Sequence, residues 1–168
     1  MRHSHSRELL LVALAGLFIA SPAWAQTPPD FLKGLTGVNV KVVFDEGHGT
    51  GGAARKALTG DLGLESGPIQ AETELRLRQA GMKILPSTSR SSFSPTLVIA
   101  VGAAGTKAVL VHIALWELAT LDRGSLRWTA STWEQEAVMQ DNTAIQIREE
   151  IRDNVSAFLN QWLADNGK

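Results

Sequence analysis

The alternation of apolar and polar residues predicts a β-hairpin between Ala108 and Met139, and the rest of the chain is organised around it. The first strand reads AVLVHIALWELATL, and every second side chain of an extended strand lies on the same face. One face carries Val109, Val111, Ile113 and Leu115. The other carries Leu110, His112, Ala114 and Trp116. Because both faces are mostly apolar, we expect this strand near the middle of a sheet, with each side at least partly covered.

A turn and a second strand complete the predicted hairpin. The sequence Asp122-Arg123-Gly124-Ser125 favours a turn, since glycine tolerates positive φ and aspartate bonds the backbone two residues further on. The following run, LRWTASTWEQ, is therefore predicted to pair back antiparallel, with Ala119 opposite Trp128. This register places Glu117 on the face of Leu115, which predicts a β-bulge or an exposed strand end there.

Three further strands are predicted by period-two alternation of apolar residues. They run from Val38 to Phe44, from Met82 to Leu85 and from Thr96 to Val101. The first is followed by a glycine-rich loop from Asp45 to about Gly63. That loop is longer than most connections in compact domains, so we expect it to be functional or mobile.

Two amphipathic helices are predicted by apolar residues at helical spacing. The first starts at Ser66 or Gly67 and ends at Gly81. The second runs from a cap at Asp141 to about Ala164, with Thr143 and Gln146 at capping-box spacing. Its inward stripe is Ile147, Ile151, Val155, Phe158 and Trp162.

The predicted element order is β-α-β-β-β-β-α. A helix with one apolar stripe must bury that stripe against a sheet face. The sequence therefore predicts an α+β fold, with a mainly antiparallel sheet of about five strands and two helices packed on one face.

Residues 1–25 have the pattern of a cleavable signal peptide. Arg2 and Arg7 are positively charged, an apolar run of 12 residues follows, and Ala23-Trp24-Ala25 is a small-x-small cleavage site. The run is shorter than the ~20 apolar residues of a membrane-spanning helix, which disfavours the alternative of an uncleaved anchor. We expect cleavage after Ala25 and a periplasmic or secreted location, with no stable membrane insertion afterwards.

Residues 26–168 would then form a single domain with a nearly balanced charge. Removing Arg2, Arg7 and Glu8 from the 16 basic and 17 acidic residues leaves 14 and 16, a formal charge of −2. This balance gives no electrostatic reason to expect nucleic acid as a partner. The chain contains no cysteine, which excludes disulfides, thiolate metal sites and a thiol nucleophile.

Four segments of the chain carry a resemblance to other sequences. They are LKGLTGVNVKVVF (32–44), ETELRLRQAGMKIL (72–85), the TASTW of the second hairpin strand, and the C-terminal IREEIRDNVSAFLNQWLADN (147–166). Together they resemble a group of small, uncharacterised exported bacterial proteins, from whose usual pattern the glycine-rich loop departs. The resemblance implies an exported single domain, and it carries over no catalytic residue.

The glycine-rich loop contains a formal dinucleotide-binding spacing. Gly47, Gly49 and Gly52 spell G-x-G-x-x-G directly after a predicted strand. In a nucleotide site that loop opens a helix inside a parallel βαβ unit, whereas here the next predicted helix starts near Pro68 and the later strands look antiparallel. A flexible surface loop is therefore the favoured interpretation.

A metal site is the second candidate for chemistry in this loop. Asp45, Glu46 and His48 could offer two oxygens and one imidazole, and His112, the other histidine after residue 25, lies in the middle of a strand. Three ligands within four residues rarely enclose an ion without a distant fourth. We therefore predict a solvated acidic turn, no metal site and no cofactor.

Catalytic carboxylates and nucleophiles are not indicated elsewhere. Glu72 and Glu74 are two residues apart on a helix and point in different directions, while Glu72 precedes Arg76 by four and favours an ion pair. No G-x-S-x-G occurs, and the segment 87–94 contains no general base beside its serines. No catalytic residue is predicted.

The tryptophans are the most informative candidates for binding. In the predicted register, Trp116 and Trp133 project to the face opposite Trp128. The final helix covers one face, so we expect Trp128 and Trp162 to be core partners, and Trp116 and Trp133 to lie exposed on the other side. Core filling is the alternative for all four, but an exposed pair would mark a contact surface.

The leading hypothesis is a non-catalytic, exported domain that binds another envelope component, such as an envelope protein. It would use the sheet face of the hairpin or an edge strand. The alternatives are a small-molecule binder or hydrolase that uses the 45–63 loop as a lid, and a purely structural protein. Parallel strands flanking residues 47–52 would contradict the leading hypothesis.

Overall fold

The computed structural model describes residues 30–45, 56–86, 94–103, 108–120 and 127–168. Its strands are β1 (Gly37–Asp45), β2 (Lys83–Ile84), β3 (Thr96–Ala103), β4 (Ala108–Thr120) and β5 (Arg127–Gln140). Its helices are α1 (Ser66–Gln79) and α2 (Ala144–Asp165). The order of these elements is the predicted one. A short π-helical turn, Ala57–Asp61, is an addition, because it lies within the segment that was predicted to be loop.

The five strands form one mixed sheet in the order β2-β1-β3-β4-β5. The long pairings of β3 with β4 and of β4 with β5 are antiparallel, so the predicted α+β fold with a mostly antiparallel sheet is confirmed. Strand β1, however, is parallel to both β2 and β3. The chain leaves β1, passes through a helix and re-enters the sheet in the same direction, and such a crossover connects parallel strands. The expectation that no parallel βαβ unit follows the first strand is wrong.

Both helices lie on one face of the sheet and share a single core with it. The strand residues in this core include Val40, Ile99 and Ile113, each at most 2% exposed. The predicted stripe of α2 is buried in full, as Ile147, Ile151, Val155, Phe158 and Trp162. We call this side of the sheet the helix side and the opposite side the open side. No helix or strand in the described ranges covers the open side, so within them β4 is covered on one face only.

The helix ends follow the predicted capping chemistry in part, because the N-cap of α1 is Glu65, which makes no side-chain capping bond, and not Ser66 or Gly67. Gly81 has φ +86° and ends α1, where Met82 N donates to the carbonyl of Leu77 at 2.9 Å. At the start of α2, Thr143 and Gln146 form the predicted capping box. The cap is therefore Thr143, not Asp141.

The end of α2 anchors the segment that precedes β1. Trp162 Nε1 donates to the carbonyl of Leu35 at 2.7 Å, and the backbone N–H of Leu32 donates to Asp165 Oδ2 at 3.0 Å. Because these bonds join residues about 130 positions apart, they fix the residues next to Phe31 against the body of the domain. The predicted leader lies outside the described residues. Within the described part of the chain, no helix is long and apolar enough to cross a membrane.

Candidate functional site

The β4–β5 hairpin extends beyond the rest of the sheet. Strand β3 begins at Thr96, which is opposite Trp116. Residues 117–120 of β4 therefore pair with residues 127–130 of β5 without a third strand beside them. We call these two segments the distal ribbon. A two-stranded ribbon without a covering layer leaves both of its faces accessible to solvent.

A β-bulge separates the distal ribbon from the rest of the hairpin. Leu115 is opposite Trp133 and Trp116 is opposite Ser131, which leaves Thr132 as the extra residue on β5. The bulge lies next to Glu117, as predicted, and Thr132 Oγ1 donates to Glu117 Oε2 at 2.7 Å. A shift of one residue in register moves a side chain to the other face of the sheet.

The bulge places Trp133 on the helix side. There it contacts Phe158 of α2 edge to face, with ring centroids 5.1 Å apart. Trp116 lies on the open side and is 40% exposed. The expectation that Trp116 and Trp133 share one face is therefore wrong, because it extended the register of the turn through the bulge without the extra residue.

Trp128 is the most exposed tryptophan in the described residues. The predicted pairing of Trp128 with Ala119 is confirmed, but its side chain is 65% exposed and is not a core partner of Trp162. Trp128 lies on the helix side of the distal ribbon, beyond the part of the sheet that the helices cover. On the open side the ribbon exposes Leu118, at 38%.

An open cleft of about 510 Å³ lies beside the bulge on β5. It is lined by Phe31, Ser131, Thr132, Trp133 and Glu134. Phe31 is 56% exposed, and it also lines an adjoining cleft of about 240 Å³ together with Glu117 and Lys33. The two clefts combine aromatic rings with hydroxyl and carboxylate groups. We call them together the bulge cleft.

Phe31 was not among the binding residues predicted from the sequence. Its one signal is an aromatic residue directly after the proline-containing segment 26–30, a position where no strand or helix requires it. Nearby, the carboxylate of Asp30 accepts a hydrogen bond from Lys33 Nζ at 2.9 Å and raises the pKa of Lys33. The ion pair of Asp30 and Lys33 places charged groups at the edge of the bulge cleft.

The edge of the sheet at β5 has features that discourage the addition of another strand. The bulge at Thr132 interrupts the regular row of backbone groups, and Glu134 and Glu136 place negative charge along the strand. Bulges and charged side chains are the usual protection of edge strands. The edge of β5 is therefore a poorer contact surface than the faces of the distal ribbon.

The described residues of the other candidate sites do not come together as a reactive centre. His112 lies on the open side, where its Nε2 is 3.6 Å from Glu134 Oε2. Glu46 and His48 lie outside the described residues, and so does the side chain of Asp45. Within the described residues, no group of three or more metal-ligating side chains converges.

The glutamates of α1 are held in ion pairs. Glu72 Oε1 is 3.4 Å from Arg76 Nε, which confirms the predicted pair, and Glu74 Oε2 is 2.8 Å from Arg78 Nη2. Neither carboxylate faces the bulge cleft. The arrangement does not place two carboxyl groups across a common substrate site.

The glycine spacing at Gly47, Gly49 and Gly52 lies outside the described residues, but its flanks are described. The parallel pairing of β1 with β2 removes one reason against nucleotide binding, and it meets the criterion that we set against the binding-module hypothesis. The large apolar side chains exposed on the hairpin do not depend on this pairing, so a nucleotide site becomes a second candidate beside the hairpin surface. The second reason against nucleotide binding was the distance from the glycines to the next helix, and it holds only in part. Helix α1 begins at Ser66, as expected, although a π-helical turn starts much closer to the glycines, at Ala57.

Comparison with protein-family models gives no match, and comparison with curated proteins gives none either. The geometry of the chain is therefore the basis for a functional proposal.

Proposed function

We propose that this chain is an exported binding domain of the bacterial envelope, and that its contact surface is the distal end of the β4–β5 hairpin. The observation that carries the proposal is the exposure of large apolar side chains on a ribbon without a covering layer. Leu118 and Trp128 are more than a third exposed there, and so is Trp116, the residue of β4 that directly precedes the distal ribbon. The export expectation rests on the leader pattern of residues 1–25.

Exposed tryptophans on a rigid strand are well suited to binding. An indole ring buries about 150–250 Å² on contact and loses little conformational freedom, because it has only two side-chain torsions. Contact residues of this kind contribute a large share of the binding energy in many protein interfaces. Trp116 and Trp128 lie on opposite faces of the hairpin, so a partner reaches both only by surrounding its end.

The helix side is the better supported of the two faces. It holds Trp128 together with Trp133 and Phe31, and the last two line the bulge cleft. A concave surface with aromatic rings and a few polar groups is the usual form of a binding site. Trp116 provides a second contact on the open side.

The experiment is affinity capture from envelope extract with the purified domain as bait. We expect one partner to be retained by the wild-type domain and lost with the Trp128→Ala and Trp133→Phe variants. Ile145→Ala is the matched control, because Ile145 is 69% exposed but lies at the start of α2, which follows the end of the hairpin opposite to the distal ribbon. Equal retention by Trp128→Ala and Ile145→Ala would contradict the proposal, as would the absence of any retained partner.

A small-molecule site is the second candidate, and one observation favours it. The parallel strands β1 and β3 end at the same edge of the sheet, where Phe44 is opposite Val101. After β1 the chain forms β2 on one side of β1, and it later forms β3 on the other side of β1. In open α/β sheets, ligands bind outside the carboxyl ends of strands at such a reversal.

ATP and NAD⁺ are suitable probes for this second candidate, because the adjacent glycine spacing is that of nucleotide-binding loops. Binding predicts slower amide hydrogen exchange in residues 45–63 at millimolar ligand, while exchange in β5 stays unchanged. Unchanged exchange in both regions would exclude the nucleotide site and leave the hairpin surface as the candidate.

A further inference from the structure

A cluster of three arginines lies between α1 and α2, on the helix side and away from the hairpin. The residues that line a small cleft between the helices include Ile69, Glu72, Thr73, Arg76, Arg148 and Arg152. Three of these side chains are positively charged and one is negatively charged. The cluster joins residues about 80 positions apart in the chain, so no local sequence pattern indicates it.

Two of the arginines already have a partner. Glu72 Oε1 accepts hydrogen bonds from Arg152 Nε at 3.0 Å and from Arg76 Nε at 3.4 Å. Arg152 Nη2 is also 2.9 Å from the same oxygen. Thr73 Oγ1 donates to the carbonyl of Ile69 at 2.9 Å, so this hydroxyl is bound within its own helix. Glu72 is therefore the internal anion of the cluster.

Arg148 does not share this anion. It precedes Arg152 by one helical turn, which places both on the same side of α2. Its Nε atom is buried and has no hydrogen-bond partner within the described residues. Buried donors in folded proteins nearly always have an acceptor, so the Nε–H of Arg148 is suited to an acceptor atom that comes from outside the chain.

The charge and the size of the cleft indicate the kind of ligand. The lining side chains leave two positive charges after Glu72 is counted against three arginines. A phosphate monoester carries a charge of about −1.5 to −2 at neutral pH and offers three acceptor oxygens. The space between the helices is about 10 Å³, which is close to the volume that one water-sized atom occupies. One oxygen of an anion fits there, and the rest of the anion stays at the surface.

We propose that the cleft between α1 and α2 is a binding site for a phosphoryl group, with Arg148 as the principal donor and Arg152 and Arg76 as supporting donors. The planar guanidinium fork matches phosphate oxygens in pairs, which a lysine cannot reproduce. The site is independent of the proposed hairpin surface. A phosphate monoester and the phosphodiester headgroup of an anionic lipid share this chemistry, and the dianionic monoester matches the two positive charges better.

The test is a titration of the folded domain with inorganic phosphate at constant ionic strength, followed by the NMR signals of the arginine side-chain Nε–Hε groups. We expect saturable shifts at Arg148 and Arg152. Arg148→Gln removes a charge-assisted hydrogen bond, so its affinity should fall by about 10-fold or more. Arg78→Gln is the control, since Arg78 is exposed and paired with Glu74, and its affinity should stay within about two-fold of wild type.

Two further variants separate ligand binding from folding. Glu72→Gln removes the internal anion that competes for Arg152 and Arg76, so we expect tighter phosphate binding. Arg148→Lys keeps the charge but loses the planar fork, and should bind with an affinity between wild type and Arg148→Gln. If Arg148→Gln does not fold, the Glu72→Gln and Arg148→Lys results decide the question.

Vesicles of phosphatidylglycerol distinguish the two sources of phosphate. Binding of inorganic phosphate without co-sedimentation of the domain with vesicles identifies a soluble monoester as the ligand class. Co-sedimentation that is lost in Arg148→Gln, in the absence of phosphate binding, would replace the monoester by a lipid headgroup. The absence of saturable shifts, or equal phosphate affinity of wild type and Arg148→Gln, would show that the cleft holds only water and would overturn the proposal.

Discussion

Trp133 of β5 and Phe158 of α2 meet edge to face, with their ring planes inclined by 69°. This contact joins the hairpin to the final helix at the point where the sheet ends and the distal ribbon begins. Phe158 is fully buried, whereas Trp133 is only half buried and also lines the bulge cleft. Trp133 therefore has two roles in the structure, as part of the core and as part of the candidate contact surface.

Alanine substitutions should separate the structural tryptophan from the exposed one. Trp133→Ala removes the contact with Phe158 and a partly buried indole, so we expect the free energy of unfolding to fall by about 2 kcal/mol. Trp128→Ala removes a side chain that is 65% exposed, and the free energy of unfolding should change by less than about 0.5 kcal/mol. Urea unfolding measures both. Equal losses would contradict the assignment of Trp133 to the helix side.

The bulge predicts an asymmetry between two single-residue deletions. Deleting Thr132 leaves Ser131 opposite Trp116 and Trp133 opposite Leu115, so both faces are kept, and only the hydrogen bond to Glu117 is lost. Deleting Glu134 forces either Trp133 to the open side or the following residues to the wrong face.

We therefore expect the Thr132 deletion to lower the unfolding free energy by about 1 kcal/mol and the Glu134 deletion by clearly more. Amide hydrogen exchange of β4 and β5 should stay slow in the first variant and become fast in the second. The reverse order would show that Thr132 is not the extra residue of β5.

The hydrogen bond from Trp162 to Leu35 gives a third prediction. Trp162→Phe keeps an aromatic ring but leaves the buried carbonyl of Leu35 without its donor, which should cost about 1–3 kcal/mol of unfolding free energy. Lys168→Ala removes only a cation that lies 4.1 Å from the centre of the same ring, so the free energy of unfolding should fall by about 0.5 kcal/mol. In the wild type, the indole N–H of Trp162 should exchange slowly with solvent, and a fast exchange would argue against this bond.

Two glycines should respond to alanine to different extents. Gly81 has φ +86° and open space around it, so Gly81→Ala introduces backbone strain without a steric clash, at about 1 kcal/mol. Gly67 lies in the first turn of α1 directly before Pro68, with no other atom in the way of an added Cβ. The gain in helix propensity from alanine is opposed by the clash of its Cβ with the ring of Pro68, so Gly67→Ala should change the free energy of unfolding by less than about 0.5 kcal/mol. Thermal unfolding of the two variants measures both effects. Stabilisation by Gly81→Ala would be inconsistent with the left-handed backbone conformation of Gly81 at the end of α1.

Local patterns of sequence were sufficient to predict most elements of this fold. Alternation predicted the strands, helical spacing predicted the buried stripe from Ile147 to Trp162, and the Thr143–Gln146 capping box formed as its spacing indicates. The pairing of Ala119 with Trp128 agrees with the register expected from the turn predicted at Asp122–Ser125, although that turn lies outside the described residues. These features depend on residues that are close together in the chain.

The tertiary structure decided the features that depend on distant residues. The direction of β1 relative to β2 and β3 is set by how the chain crosses over the sheet, and no periodicity within β1 records it. The extra residue at Thr132 reverses the face of Trp133, because a strand has a side-chain period of two and one inserted residue exchanges its sides. The surplus charge at Arg148 likewise arises only when α1 and α2 come together. The sequence by itself thus determined the elements and their buried faces, while the packing of distant segments determined which side chains remain available for binding.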